Sequence, residues 1–264
     1  MKAGGNASHI AKALKMLNFN TREIGFYLKI GANYIWKDIF QGFDNEGILF
    51  SKEDCNQVIF KANYSNLEFL EYQQKTSNEV FDFPDMYINS QYIFIGAITS
   101  THAEYIINQV KGTIAFNYSP WFNNEKLFNL LPNINIFILN RGEALDIYRT
   151  DKIVDVFNQI KPYNPKINLI ITKDKDGCEY FDGYQHILIP APNINCVNTL
   201  GAGAIFSTLY LYFLQKSKDI SYSLSCASVS ASIYISSEQY KLSDQKYFNT
   251  MCENIYSKTM YSDF

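Results

Sequence analysis

The amino-acid sequence predicts an α/β fold built on a mainly parallel sheet, and three observations carry that prediction. Short, continuous apolar runs recur at residues 92–96, 112–116, 134–139 and 167–172, the pattern of strands buried on both faces. Segments of helical spacing lie between or after them, at 101–110, 202–215, 221–236 and 245–258. Two glycine turns, Gly4-Gly5 and Gly201-Ala202-Gly203, stand directly before helical segments. Buried parallel strands joined by helices define the α/β layer architecture.

The elements follow in order. Residues 6–17 place Ala7, Ile10, Ala11, Leu14 and Leu17 near helical spacing, so a helix is expected there. Residues 21–30 read as a strand, followed by a Gly31-Ala32-Asn33 loop and a short helix at 36–43. Residues 57–63, 67–74 and 78–83 alternate polar and apolar, as exposed antiparallel strands do. They predict a small antiparallel lid or insertion within 48–83 of a single domain, 1–264. The apolar runs and helices named above complete the chain.

Composition excludes several function classes. A chain of 264 residues has ample length for a core. A net charge of -3 gives no basic surface for nucleic acid. No signal-peptide pattern follows Met1, and the most apolar stretch, 202–214, is too short to span a bilayer and carries Ser207 and Thr208. A soluble cytoplasmic protein without membrane or nucleic-acid partners is expected, with a homodimer left open. The cysteines, Cys55, Cys178, Cys196, Cys226 and Cys252, are scattered and odd in number. They are expected to be buried apolar residues and form no disulfide framework. With His9, His102 and His186 they suggest no metal spacing.

In open α/β sheets ligands bind beyond the carboxyl ends of the strands. The loops at 96–100, 117–120, 140–143 and 172–177, and the two glycine turns, are therefore the candidate site. The most informative stretch is Val197-Asn198-Thr199-Leu200-Gly201-Ala202-Gly203-Ala204-Ile205-Phe206. A Gly-Ala-Gly turn before a helix presents unpaired N–H groups at the positive end of the helix dipole, a ready anion site. Taken in isolation, such a turn is equally a tight chain reversal.

The order of the pieces resembles the ribokinase-like, or PfkB, sugar kinase family. Residues 198–206 follow its Asp-Thr-x-Gly-Ala-Gly-Asp-x-Phe signature except at two positions. Gly4, Gly5, Asn6 and Ala7 match its N-terminal signature, and Asn140-Arg141-Gly142-Glu143 matches its Asn-x-x-Glu motif. Thr172 and Gly177 match its Thr-x-Gly-x-x-Gly strand end, with Asp174 in place of the first Gly. The resemblance implies a ribokinase-like three-layer fold with a mainly parallel central sheet and a reduced antiparallel lid. It implies transfer of the γ-phosphate of ATP to a hydroxyl of a sugar or nucleoside, with Mg²⁺. Gly4, Gly5, Asn6 and Asn117 then fall on the substrate side. Asn140, Glu143, Thr172, Gly177 and Asn198 fall on the ATP side, with Glu143 acting on Mg²⁺ through water. Gly201, Ala202 and Gly203 stabilise charge on the moving phosphoryl group. Such roles suit a reaction that needs in-line positioning, neutralised charge and a base.

The chain departs from the family where the chemistry is most demanding. The position of the family's catalytic Asp is Ala204, which cannot accept a proton. A positioned base contributes about 10²–10⁴-fold, so weak or lost activity is expected. Asn198, Asn33 and Asn117 stand where the family commonly carries Asp, and Glu143 is the expected carboxylate that survives. Family members usually carry a strand and part of the lid before the Gly-Gly-Asn turn, whereas three residues precede Gly4 here. Three readings stand. One is a non-catalytic relative, a pseudokinase acting as a scaffold, regulator or ligand-binding protein. The second is an enzyme whose base was replaced or whose start was cut. The third is a slow kinase. Among nearby residues, Arg141 could touch phosphate or be a solvated charge. For Lys173 and Lys175 the solvated loop is favoured. Packing is favoured for Tyr118, Trp121, Tyr210 and Tyr212, and a capped or solvated ring for His9.

Overall fold

Successive residues of a strand face opposite sides of a sheet, so each apolar run of this chain serves two cores. The structure, a computed structural model, describes residues 6–19, 21, 24–26, 28–30, 36–44, 46, 48–50, 57–63, 68–75, 82–96, 98–118, 122–236 and 239–263. Its elements open with α1 (Asn6–Met16), β1 (Leu28–Ile30), α2 (Trp36–Phe40), β2 (Ile48–Phe50), β3 (Gln57–Asn63), β4 (Glu68–Lys75) and α3 (Asp85–Ile88). The central part runs β5 (Tyr92–Gly96), α4 (Ser100–Ile107), β6 (Thr113–Asn117), α5 (Asn124–Leu130), β7 (Ile136–Asn140), α6 (Arg141–Tyr148), α7 (Ile153–Ile160) and β8 (Asn168–Thr172). Then come β9 (Cys178–Phe181), β10 (Gln185–Ile189), α8 (Ala202–Ser217), α9 (Ile220–Ile235), α10 (Gln245–Tyr256) and β11 (Met260–Asp263).

The main sheet has seven strands in the order β11-β10-β9-β8-β7-β6-β5. Strands β5 to β8 pair in parallel, and β8 to β11 pair antiparallel. Ile136, Ile138 and Ile170 face a core that holds Leu14 of α1, Ile205 and Leu209 of α8, Leu224 of α9 and Phe248 of α10. Phe137, Leu139, Leu169 and Ile171 face the opposite core, with Ala103 of α4, Leu127 of α5, Ala144 of α6 and Val156 of α7. The result is the expected three layers, helix–sheet–helix. Each fully buried Leu, Ile or Phe contributes about 1.5–3 kcal/mol, which ties both helical layers to the sheet.

Polar accounting supports the helices. Asp219 and Asp244 cap α9 and α10 by accepting from Tyr222 N–H and Tyr247 N–H. Helix α9 is buried nearly all round, and several of its serines bond back to the preceding turn. Ser225 Oγ donates to Ser221 O at 2.8 Å and Ser230 Oγ to Cys226 O at 2.7 Å.

Several expectations need revision. The antiparallel flank β9–β11 has no clear sequence pattern, because its short strands mix polar and apolar residues. Residues 57–63 and 68–75 do pair as an antiparallel hairpin, but β2 pairs in parallel with β1. Among the described residues of the strand expected over 21–30, Leu28–Ile30 form the regular part. Of the run expected at 78–83, residues 78–81 lie outside the described residues and 82–83 are not strand, and the 31–33 loop is also outside them. Cys178, Cys226 and Cys252 are buried, whereas Cys196 is exposed; Cys55 lies outside the described residues. Among the described residues no helix is long and apolar enough to cross a membrane.

Candidate functional site

Parallel pairing brings the ends of β6, β7 and β8 side by side. Asn117, Asn140 and Thr172 are the last residues of these strands, and Asn140 pairs in register with Thr172. Asn140 also caps α6. Its Oδ1 accepts from Glu143 N–H at 2.8 Å, and Glu143 Oε2 accepts from Asn140 N–H at 2.8 Å. This capping box fixes the carboxylate at the strand end. Burial pushes the Glu143 carboxyl up to about 7, the Asn140 N–H opposes that rise, and Asp146 adds to it. Thr172 Oγ1 donates to Leu139 O at 3.4 Å. Gly177, at φ +95°, closes the turn into β9; a Cβ there would lie 1.9 Å from Ile189 O.

The second half of the site is the start of α8. Asn198 Oδ1 accepts from Leu200 N–H at 3.0 Å, and Asn198 N–H donates to Ile235 O at 3.1 Å. Ala202 N–H donates to Thr199 O at 3.2 Å, and Gly201 turns the chain at φ +86°. No side chain among the described residues caps α8. Among the described residues the N–H groups of Gly203 and Ala204 have no acceptor. Two orphan donors at the positive end of a 16-residue helix suit a phosphate. A Cβ at Gly203 would lie 3.9 Å from Asn117 Oδ1, so this turn meets the end of β6. Asn117 Nδ2 is held by Ile138 O at 3.2 Å. Ala204, 4% exposed, presents only a methyl group.

Helix α1 completes the arrangement. Asn6 is its first residue, and His9 follows one turn later on the same face. The His9 ring packs on Gly201, with Cγ 2.6 Å and Cδ2 3.0 Å from where a Cβ would stand. His9 Nδ1 is 2.8 Å from Tyr234 Oη. Burial, aided by Lys12, holds the His9 imidazole below its usual range, and burial raises the Tyr234 hydroxyl. Gly4, Gly5 and Asn33 lie outside the described residues, as does Trp121.

The fold resolves the ambiguous residues. Arg141 is engaged by Asp176 at 2.7 Å and Asp151 at 3.2 Å, and so ties the start of α6 to the β8–β9 loop. Lys173 is not a solvated charge: it pairs with Glu179 at 2.7 Å with its side chain only 13% exposed, while Lys175 is exposed. Tyr118 and Tyr210 are buried, with Tyr118 Oη donating to Asn124 Oδ1 at 2.6 Å. Tyr212 stacks on Phe19 at 4.0 Å. The His9 ring is packed and hydrogen-bonded rather than solvated, and no local sequence pattern links it to Gly201.

The residues present fit a nucleotide phosphate and Mg²⁺. The unpartnered N–H pair suits an anion, and the Glu143 carboxylate offers oxygen to a cation that keeps much of its water. Among the described residues no group of three or more His, Cys, Asp or Glu could hold a metal ion. A three-layer α/β fold with a glycine-opened helix at the carboxyl ends of its parallel strands is an arrangement suited to binding a phosphate. Residues 1–246 match the model of the pfkB family of carbohydrate kinases, and the chain belongs to that family. No curated protein matches the sequence. Solved structures share the fold. The ribokinase of Thermotoga maritima is 13% identical with a TM-score of 0.74, over 95% of this chain and 88% of that one. The Methanocaldococcus jannaschii nucleoside kinase is 14% identical with a TM-score of 0.72, over 95% and 86%. The fructokinase of Vibrio cholerae, solved with fructose, ADP and calcium, is 13% identical with a TM-score of 0.70, over 94% and 91%.

Proposed function

We propose that this chain binds MgATP and transfers its γ-phosphoryl group slowly to a hydroxyl of a small sugar or nucleoside, in the cytoplasm. The observation that supports it best is the meeting of three elements. The α8 turn with its free N–H pair abuts Asn117 of β6, and the Asn140–Glu143 capping box stands on the neighbouring strand. On this reading Gly201, Ala202 and Gly203 cradle the phosphoryl group. Asn140, Glu143, Thr172, Gly177 and Asn198 frame the nucleotide side, and Gly4, Gly5, Asn6 and Asn117 frame the substrate. Mg²⁺, when bound with ATP, neutralises phosphate charge, and Glu143 would hold it through water.

Ala204 supports the word slowly. Without a carboxylate at that position, the rate lacks the contribution of a positioned base there, about 10²–10⁴-fold. The same residue favours a second reading, a pseudokinase that binds ligand as a scaffold or regulator without turnover. Calorimetric titration with MgATP and a coupled ADP-release assay over a panel of sugars and nucleosides test both. MgATP binding with slow, substrate-dependent ADP release is expected. Turnover near the enzyme median of about 10 s⁻¹ would overturn slowness. Binding without turnover would favour the pseudokinase, and absence of binding would overturn both.

A further inference from the structure

We propose that His9 accepts the proton of the attacking hydroxyl, in a site whose position 204 offers only a methyl group. This rests on the phosphotransfer reading above and adds a residue to it.

The placement comes from three elements that converge on one glycine. Gly201 has a backbone conformation that suits glycine, and the space where its side chain would be is filled by the His9 ring. The Cγ–Cδ2 side of the ring lies on Gly201, and its Nδ1 meets Tyr234 Oη at 2.8 Å. Among the described residues Nε2 has no hydrogen-bond partner. The free N–H groups of Gly203 and Ala204 begin just beyond Gly201 on the same turn. An imidazole seated on the phosphate-binding turn is therefore beside the place where a phosphoryl group and its attacking oxygen would meet.

The chemistry matches the placement. A proton acceptor must be neutral and hold a free lone pair. When Nδ1–H donates to Tyr234 Oη, the lone pair is on Nε2. The hydroxyl of Tyr234 stays protonated and neutral, because burial raises it. Burial and the positive charge of Lys12, on the same helix, disfavour a second proton on the ring. Among the described residues no carboxylate acts on His9 to oppose them. In the step, the substrate oxygen forms its bond to the γ-phosphorus as the bond from that phosphorus to the β,γ-bridging oxygen breaks. The electron pair of the broken bond leaves with ADP, the hydroxyl proton passes to His9 Nε2, and it is later released to solvent.

The test combines an activity-independent measurement with kinetics. Nitrogen NMR of the ¹⁵N-histidine-labelled, unmodified chain should find His9 neutral near pH 7.5, with its proton on Nδ1. Its ADP-release rate should fall at acid pH, with a midpoint below 6.5. His9→Gln should lower kcat by about 10²-fold or more, remove the limb below 6.5 while leaving any limb near about 7 that Glu143 contributes, and leave KM for MgATP within about twofold, with thermal unfolding confirming the fold. Tyr234→Phe keeps the imidazole and removes its acceptor, so it should cost less in kcat and move the acid limb to lower pH. A proton found on Nε2, a limb below 6.5 that survives in His9→Gln, or MgATP binding with no turnover would each overturn the role of His9. The first two leave phosphotransfer standing. Absence of MgATP binding by the unmodified chain would remove phosphotransfer and the His9 role together.

Discussion

The two halves of the candidate site are built differently. On the β7–β8 side, polar groups are matched in place. Asn140 and Glu143 exchange hydrogen bonds, Arg141 bridges to Asp176 and Asp151, and Lys173 is paired with Glu179. On the α1–α8 side the donors are backbone N–H groups, the base position is Ala204, and a histidine packs where glycine leaves room. The difference separates binding from chemistry. On the proposed reading, a frame for phosphate and nucleotide needs backbone geometry and caps, such as the free N–H pair of α8 and the Asn140–Glu143 box. Proton removal needs a titratable group, and on the α8 turn position 204 offers only a methyl group.

The comparison can be broken first at its glycines. Gly177→Ala should destabilise the chain by about 2–4 kcal/mol, because it combines a positive φ with a Cβ 1.9 Å from a backbone carbonyl. Urea denaturation measures it, and a change within experimental error would mean that the β8–β9 turn is not held as described. Gly201→Ala should cost about 1–3 kcal/mol and should cost less in a His9→Ala background, where the ring it meets is gone. A double-mutant cycle with no coupling would separate His9 from the turn.

On the other side the effects are smaller. Asn140→Ala removes the α6 cap and should cost about 1 kcal/mol, readable as a lowered Tm. The Glu143 titration sharpens the contrast further. Its folded-state value of about 7 lies above the ordinary 4.5, so the folded chain holds this proton more tightly. The stabilisation is complete below about pH 4.5 and is lost as pH rises to about 7. The loss should be no more than about 1 kcal/mol, since the group keeps part of its solvent. Glu143→Gln preserves the capping box and should flatten that slope; an unchanged pH profile would exclude Glu143 as its source.

The sequence made the parallel strands β5 to β8 readable, because burial on both faces demands continuous apolar runs such as Ile136 to Leu139. It did not make β9 to β11 readable, since strands such as Cys178–Phe181 and Met260–Asp263 are short and mixed. The same division holds in the site. Asn140, Glu143 and the 201–203 turn declare themselves through local patterns, because capping and glycine turns are local physics. The contact between His9 and Gly201 depends on how α1 and α8 pack, and local spacing carries no trace of it. Likewise the pairing of Arg141 needs the β7–β8 register, which decides that a possible phosphate ligand is a strut between loops.

The central claim is that this chain keeps a phosphate-binding frame whose base position on α8 is vacant. Its most direct test is the rate of substrate-dependent ADP release by the unmodified chain and by Ala204→Asp at saturating MgATP, with MgATP affinity measured alongside. Ala204→Asp should raise kcat at least about tenfold, less than the full contribution of a positioned base, about 10²–10⁴-fold, because His9 already accepts the proton. It should leave MgATP affinity nearly unchanged and still fall short of about 10 s⁻¹. An unchanged or lower rate in a folded variant that binds MgATP normally would contradict it.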